Sequence, residues 1–303
     1  MLMTSQGKAR KLRWAAACLA GLAAMTAVAR PVIAREWQFV KVASDEPADT
    51  AIEVDSQNRP HVVWSDIRYD EDTHVYTFGY TYALWDQGAW QKHPFTFVSD
   101  SGGWPSMELD AQDRPHIAFY VHNNDQHTGT VRYATLDGQG QWTEEDVFVG
   151  DAGQALHPSL ALDSQGRPQI SHVGNYSYFD GALWHTDPAG PQIGYYSDLE
   201  LDAQDTPHVA SATLTYNYPM YTTRVQGAWQ AEQFAPPANA TVSSLELDPA
   251  GLPHIAWWHN QTALPVLSRK TGQGWQSTEP PEQPHVSNLA ADDMSSQLDD
   301  QGL

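Results

Sequence analysis

Five times along the chain an aspartate is followed, five residues later, by a proline, and four of those prolines are followed by histidine. The copies are Asp55 with Pro60-His61, Asp110 with Pro115-His116, Asp163 with Pro168-Gln169, Asp202 with Pro207-His208, and Asp248 with Pro253-His254. Carboxylate and imidazole together can ligate a metal or work as an acid–base pair. A metal centre would need three such groups on one ion, whereas copies distributed through a repeat are held far apart. The repeated histidine is therefore read as structural, capping its turn or bridging neighbouring repeats.

The segments that position these residues are legible from the same ruler. Successive repeat aspartates are separated by 55, 53, 39 and 46 residues, and 51 more reach Asp299. Units of that length suit the four-stranded blades of a β-propeller. Ser106-Met107-Glu108-Leu109 and Ser244-Leu245-Glu246-Leu247 alternate in polarity, the period of a half-buried strand, here strand a. The position three beyond each Asp is Asn58, Asp113, Gly166, Asp205 or Gly251, residue types that tolerate a left-handed turn. The Asp side chain can accept the N–H groups of that turn, and proline then fixes φ where strand b begins. Tyr82, Tyr133, Tyr176 and Tyr221 lie eight or nine residues before Trp90, Trp142, Trp184 and Trp229, while Leu267 takes the Tyr place before Trp275. This pattern marks a strand c, a glycine-containing turn and an outer strand d. The short third unit loses its length between strands b and c, where Gly174-Asn175 stands.

The expected fold is all-β: one propeller domain over residues 35–303, with five complete four-stranded units and a partial sixth. Strand a is expected to start near 51, 106, 159, 198, 244 and 295. Residues 37–42 read as a lone strand d, and 298–303 as a strand a and its turn. A truncated chain with at least six blades is the simpler expectation, and a five-bladed ring with a degenerate tail is the alternative.

Residues 1–34 read as a secretory leader. Lys8, Arg10, Lys11 and Arg13 precede an apolar stretch from Trp14 to Ala29, and Val32-Ile33-Ala34 is a small-residue cleavage site. The apolar run is short for a bilayer span. The single cysteine, Cys18, lies inside it, so the remainder has no disulfide and no thiolate. The formal net charge is −21, and the leader holds five basic residues and no acidic one. Such a surface repels nucleic acid and anionic membranes. The expected setting is secreted, periplasmic or at the cell surface.

Asp163-Ser164-Gln165-Gly166-Arg167-Pro168 and Leu247-Asp248-Pro249-Ala250-Gly251-Leu252-Pro253-His254-Ile255-Ala256 resemble the tandem repeat of secreted bacterial β-propellers in the broad sialidase-like group. The resemblance covers about residues 36–303 and implies the fold. It does not imply one activity, because propellers host lectins, hydrolases, lyases and scaffolds. The Asp box of active sialidases, Ser-x-Asp-x-Gly-x-Thr-Trp, is absent, as is an Arg-Ile-Pro motif. Those enzymes need three arginines on one carboxylate. Arg59, Arg114 and Arg167 occupy equivalent a–b turns, which leaves Arg35, Arg68, Arg132, Arg224 and Arg269. Two weaker echoes are similar to propeller polysaccharide lyases: residues 119–123 before Val131-Arg132-Tyr133, and Trp258-His259-Asn260 before Leu267-Ser268-Arg269. That likeness implies His122 or His259 as general base beside a Tyr, with Arg132 or Arg269 neutralising a uronate carboxylate.

In a propeller the b–c loops and d–a connections share one face, opposite the a–b turns. That face differs in every copy, so it is the better place for function. Its first loop offers Arg68 and Tyr69, its second His122 and Asn123. The third offers Asn175, Tyr176 and Tyr178, the fourth Tyr216, Asn217 and Tyr218, and the fifth His259 and Asn260. Six residues before each repeat Asp stand Asp49, Trp104, His157, Tyr196 and Val242. Aromatic rings cover the C–H faces of sugars, and amides and carboxylates bond their hydroxyls. A hydrolase would need two spaced carboxylates, such as Asp66 and Asp70. Asp66, Asp70 and Asp72 are hard ligands for Ca²⁺ without the spacing of a calcium loop. The chain is thus expected to be a secreted non-enzymatic binding module for glycan or an extracellular protein, without cofactor. A polysaccharide lyase or sialidase-like glycosidase is the alternative.

Overall fold

In the computed structural model, residues 41–42, 49–70, 72, 75–98, 101–137 and 139–279 are described. The leader, most of the lone strand expected at 37–42 and the sixth unit lie outside them. The described residues form five antiparallel sheets of four strands, each in chain order. The first is β1 (Thr50–Val54), β2 (Pro60–Asp70), β3 (Val75–Asp86) and β4 (Ala89–Val98). The second is β5 (Ser101–Leu109), β6 (Pro115–Asn123), β7 (Thr128–Leu136) and β8 (Trp142–Asp151). The third is β9 (Ser159–Leu162), β10 (Pro168–His172), β11 (Asn175–Phe179) and β12 (Trp184–Pro188). The fourth is β13 (Tyr195–Leu201), β14 (Pro207–Ala212), β15 (Pro219–Val225) and β16 (Ala228–Gln233). The fifth is β17 (Ala240–Leu247), β18 (Pro253–His259), β19 (Leu264–Thr271) and β20 (Gly274–Thr278). Every second strand begins at the repeat proline, as the fixed φ of proline dictates.

The first strands pack on one another in order, β1 on β5, β5 on β9, β9 on β13 and β13 on β17. The fourth strands are mostly exposed. The sheets are therefore arranged as blades, with their first strands innermost. An innermost strand is a sheet edge with unpaired N–H groups, and each unpaired buried donor is costly. The preceding unit supplies the acceptor each time. Trp104 N donates to Asp49 Oδ2 at 3.0 Å, Leu160 N to Ser106 Oγ at 2.9 Å, Leu199 N to Ser159 Oγ at 3.0 Å, and Leu245 N to Asp198 Oδ2 at 2.6 Å.

The repeated Asp and His form a cassette within each sheet. Asp110 Oδ1 accepts the N–H groups of Gln112 at 2.8 Å and Arg114 at 2.9 Å, and Oδ2 accepts Arg114 Nε at 2.7 Å. His116 Nε2 lies 3.5 Å from the same Oδ2, and its Nδ1 bonds the Tyr133 hydroxyl. The cassette recurs at Asp55, His61 and Tyr82, and at Asp202, His208 and Tyr221. In the third unit Gln169 Nε2 donates to Asp163 Oδ2 at 3.3 Å, and the Tyr176 hydroxyl donates to Gln169 Oε1. The glutamine thus makes both bonds and fixes the reading of the histidines. Nε2–H faces the carboxylate and Nδ1 accepts from the tyrosine, so the ring is neutral. Burial lowers the pKa of His61, His116, His208 and His254, which favours that state. In the fifth unit Leu267 replaces the tyrosine, and His254 Nε2 stands 3.8 Å from Asp248.

The expected bridging between repeats is corrected here: His61, His116 and His208 each tie a turn to strand c of their own sheet. Other residues join the sheets. Tyr82 packs edge-on against Trp142, Tyr133 against Trp184, Tyr176 against Trp229 and Tyr221 against Trp275, with centroids 5.1–5.5 Å apart. The Tyr and Trp signals therefore meet across neighbouring units. On the turn face, Ser56 donates through its N–H and Oγ to the Asp113 carboxylate, and Ser164 does the same to Asp205. Where the acceptor position is Gly166 or Gly251, the preceding unit carries Ala111 or Ala203 in place of serine.

Because glutamine reproduces both histidine bonds, Gln169→His should change stability by less than about 1 kcal/mol. Gln169→Leu should cost about 1–3 kcal/mol, since it strands the buried Tyr176 hydroxyl. Denaturant melts of the two variants distinguish the outcomes.

Candidate functional site

The loop face carries a continuous aromatic array built on the innermost strands. Trp104 and Tyr196 sit in β-bulges of β5 and β13, and His157 precedes β9. All three occupy the same repeat position, six residues before the repeat Asp. All three are left-handed, with φ of 49° at Trp104, 51° at His157 and 54° at Tyr196. The other left-handed non-glycine residues lie in turns and loops, mostly as Asn, Asp or Gln. Tryptophan and tyrosine in this conformation are outliers that a fold holds at a cost, whereas histidine tolerates it better, and such outliers gather at functional sites. Bulges likewise re-aim side chains beside such sites.

The rings touch in sequence. Trp104 lies 5.5 Å from Tyr120 and 4.3 Å from His157, and His157 lies 4.5 Å from Tyr196 and 6.0 Å from Tyr195. Tyr120 is also stacked on His122 at 6.2 Å. The array thus runs over the second, third and fourth sheets. Its support is close-packed. The buried Tyr80 hydroxyl donates to Tyr120 O at 2.5 Å and to Gly103 O at 3.2 Å. A Cβ on Gly102 would meet Tyr80 Oη at 2.6 Å and the Tyr120 carbonyl at 2.9 Å, so that position requires glycine, whereas one on Gly103 would meet only the Asp49 carboxylate, at 2.6 Å. Ser197 Oγ donates to His157 O at 2.8 Å. Burial pushes the His157 pKa down to about 4, so at neutral pH its ring offers one donor and one acceptor. Half-buried rings with a neutral imidazole can cover an apolar face and bond hydroxyl groups.

A second feature lies to one side, where the connections of the fourth and fifth sheets meet. An open cleft of about 380 Å³ is lined by Tyr216, Asn217, Tyr218, Asn239 and Gln261, among others. Tyr218 and Asn260, both expected on this face, belong to its surroundings. Asn260 Nδ2 donates to Asn239 Oδ1 at 2.7 Å. His259 stacks on Trp257 at 5.6 Å and accepts the N–H of Thr262 at its Nδ1, at 3.3 Å.

The remaining expected residues are dispersed. His122 pairs with Gly129, whereas Arg132 pairs with Phe119, three residues away and on the opposite face of the sheet. Arg132 is held by Asp146 at 2.6 Å and Glu144 at 3.5 Å on the outer strand. Arg269 pairs with His254, five residues from His259 and again on the other face. The two expected imidazole–guanidinium pairs are therefore not brought together. Tyr178 pairs with Gln169 and stacks on His185 at 5.2 Å, which puts it at the turn end and not on the loop face. Asn123 Oδ1 accepts Gln126 N at 2.9 Å and so closes its own turn.

Arg68, Tyr69 and Asp70 end β2, and their side chains lie outside the described set. Asp66 is buried and accepts the Thr81 hydroxyl at 3.0 Å, while Asp72 is exposed. Among the described residues no group of three or more His, Cys, Asp or Glu side chains could hold a metal ion. Asp49 and Asp198 each accept a backbone N–H of the next innermost strand. Sequence reasoning missed Tyr120, Tyr195 and Asn239. Tyr120 and Tyr195 adjoin named candidates, whereas Asn239 reaches the cleft through contacts between two loops.

His172 lies fully buried at the end of β10. Its ring nitrogens are 2.8 Å from Gln154 O and 3.0 Å from Ser177 Oγ, and burial lowers its pKa to about 4. With the folded value below the unfolded one near 6.5, the unfolded chain binds more protons between them, so stability rises with pH. The contribution is complete above about 6.5 and is lost as pH falls toward 4. His172 should account for about 3 kcal/mol of the stability lost between pH 7 and 4. Melts of His172→Gln across that range should show a shallower decline than the parent protein.

No family model matches the sequence, and no curated protein matches it. Among solved structures, the chain is similar to a 6-phosphogluconolactonase candidate from Bacteroides uniformis, with 11% identity, a TM-score of 0.46, and coverage of 78% of this chain and 73% of that one. A β-1,3-galactosidase of the GH43 group matches with 9% identity, a TM-score of 0.42, and coverage of 72% and 90%. A NanB sialidase variant from Streptococcus pneumoniae matches with 11% identity and a TM-score of 0.40. That match covers 80% of this chain and 53% of the sialidase. Likenesses this loose assign no activity to the chain.

Proposed function

We propose that the protein is a secreted propeller module, of five complete blades and a partial sixth, that binds neutral glycan on its loop face without transforming it. The observation that carries this reading is the set of three aromatic residues, Trp104, His157 and Tyr196, in left-handed backbone at equivalent positions and in ring-to-ring contact. Strain of this kind persists where a surface is preorganised for a ligand. A neutral sugar fits because, among the described side chains, Arg132 is held by the outer-strand residues Glu144 and Asp146 and Arg269 lies near the turn end, where neither can meet a sugar carboxylate on the loop face. Lyase and sialidase chemistry both need that charge beside an acid–base group.

The experiment is a glycan array probed with the chain lacking residues 1–34. Binding to neutral glycans is expected, and it should survive chelation because no cofactor is part of the reading. No signal over a broad array would reject it. Incubation with uronate polysaccharides should yield no unsaturated product, and absorbance from such a product would favour the lyase.

A further inference from the structure

We infer that the cleft between the fourth and fifth sheets is a second, independent sugar site that takes one neutral pyranose unit. It draws on the same chemistry as the central array but does not depend on that array being a site.

The first observation is an exposed platform. Tyr216 is 64% exposed, and its ring is stacked on Tyr218 with centroids 5.3 Å apart and planes at 24°. Most large apolar side chains of this protein are buried, so a paired aromatic surface open to solvent is unusual within it. A stacked pair holds a flat face ready for the C–H face of a sugar without ordering a side chain on binding.

The second observation is a set of polar groups beside that platform. Asn239 Oδ1 accepts Asn260 Nδ2 at 2.7 Å and Asn217 Nδ2 at 3.5 Å. The Asn239 Nδ2 donor and the Asn217 Oδ1 acceptor keep no protein partner among the described residues. A donor and an acceptor on two amides in contact can serve hydroxyl groups of a sugar ring. The cleft lining holds no charged side chain, which selects a neutral unit.

The third observation is preorganisation. The three segments that form the cleft are tied by main-chain bonds: Ala240 N to Asn217 O at 2.8 Å, Asn260 N to Asn239 O at 2.9 Å, and Thr213 N to Tyr218 O at 2.9 Å. Asn217 holds a left-handed φ of 52°, which its residue type tolerates. The site is thus formed before any ligand arrives, and its volume of about 380 Å³ accommodates a single ring.

The test counts bound ligand. Equilibrium dialysis of the chain lacking residues 1–34 would use three labelled neutral probes: cellotetraose, xylotetraose and β-1,4-galactotetraose. At least one probe should bind at two equivalents. Tyr216→Ala and Trp104→Ala should each remove one equivalent, and the double variant both. Asn239→Asp, which keeps the side-chain shape and replaces the donor with a carboxylate, should weaken the cleft equivalent at least tenfold. Two equivalents that survive Tyr216→Ala would overturn this inference, as would a single equivalent lost with Trp104→Ala. A single equivalent lost with Tyr216→Ala would uphold the cleft and reject the array. Absence of binding by all three probes would reject the cleft.

Discussion

Replacing Asp110 with alanine should destabilise the fold by about 3–5 kcal/mol, the sum of the several hydrogen bonds that its carboxylate accepts. The side chain is almost wholly buried, and its two oxygens accept the N–H groups of Gln112 and Arg114 and the Arg114 guanidinium, with His116 Nε2 3.5 Å away. Alanine leaves the part-buried N–H groups of Gln112 and Arg114 without their acceptor inside a tight turn, and each such loss costs about 1–3 kcal/mol. The melting temperature should fall by roughly 6–20 °C, at about 2–4 °C per kcal/mol for a large domain. Arg114→Ala provides the contrast. The arginine side chain is 46% exposed, so its loss should cost no more than about 1 kcal/mol. Equal losses for the two variants would mean that the turn is held by the ion pair and not by the carboxylate's bonds to the backbone.

The second large effect concerns binding. Trp104→Ala should weaken the glycan bound at the central array about 30-fold, the loss of about 2 kcal/mol typical of a buried aromatic anchor. The same position gives an unusual stability order. Glycine is ordinarily less stable than alanine, yet at a φ of 49° alanine is strained and glycine is not. Trp104→Gly should therefore melt above Trp104→Ala by about 1 kcal/mol, although both lose the same ring contacts. If alanine proves the more stable, the left-handed backbone relaxes on losing the ring, and the argument from strain fails.

Much of the framework was legible because each repeat position meets one physical demand. Proline marks the start of every second strand, and the Asp four positions before Arg59, Arg114 and Arg167 accepts the N–H groups of its turn. The Tyr and Trp signals marked strands c and d, but their contact was not legible. Their spacing suggests one hairpin, whereas Tyr133 meets Trp184 of the next sheet. Tyr178 was misplaced for a related reason. The clipped third loop lets β11 begin at Asn175, so three residues carry the chain to the turn end.

The separation of His122 from Arg132 could have been found in advance. Strand pairing places them three residues apart, and alternation puts an odd offset on opposite faces. The array itself was only half visible. Position six before the Asp singled out Trp104, His157 and Tyr196, but their left-handed backbone follows from bulges that alternation does not announce.

The central claim is that ligand binds over the aromatic array of the loop face. Hydrogen–deuterium exchange with a glycan taken from the array screen tests it most directly. Binding should slow exchange in segments 101–106, 155–159 and 195–198, while the turns at 55–60, 110–115 and 163–168 exchange unchanged. Protection confined to those turns, with the array segments unaffected, would contradict it.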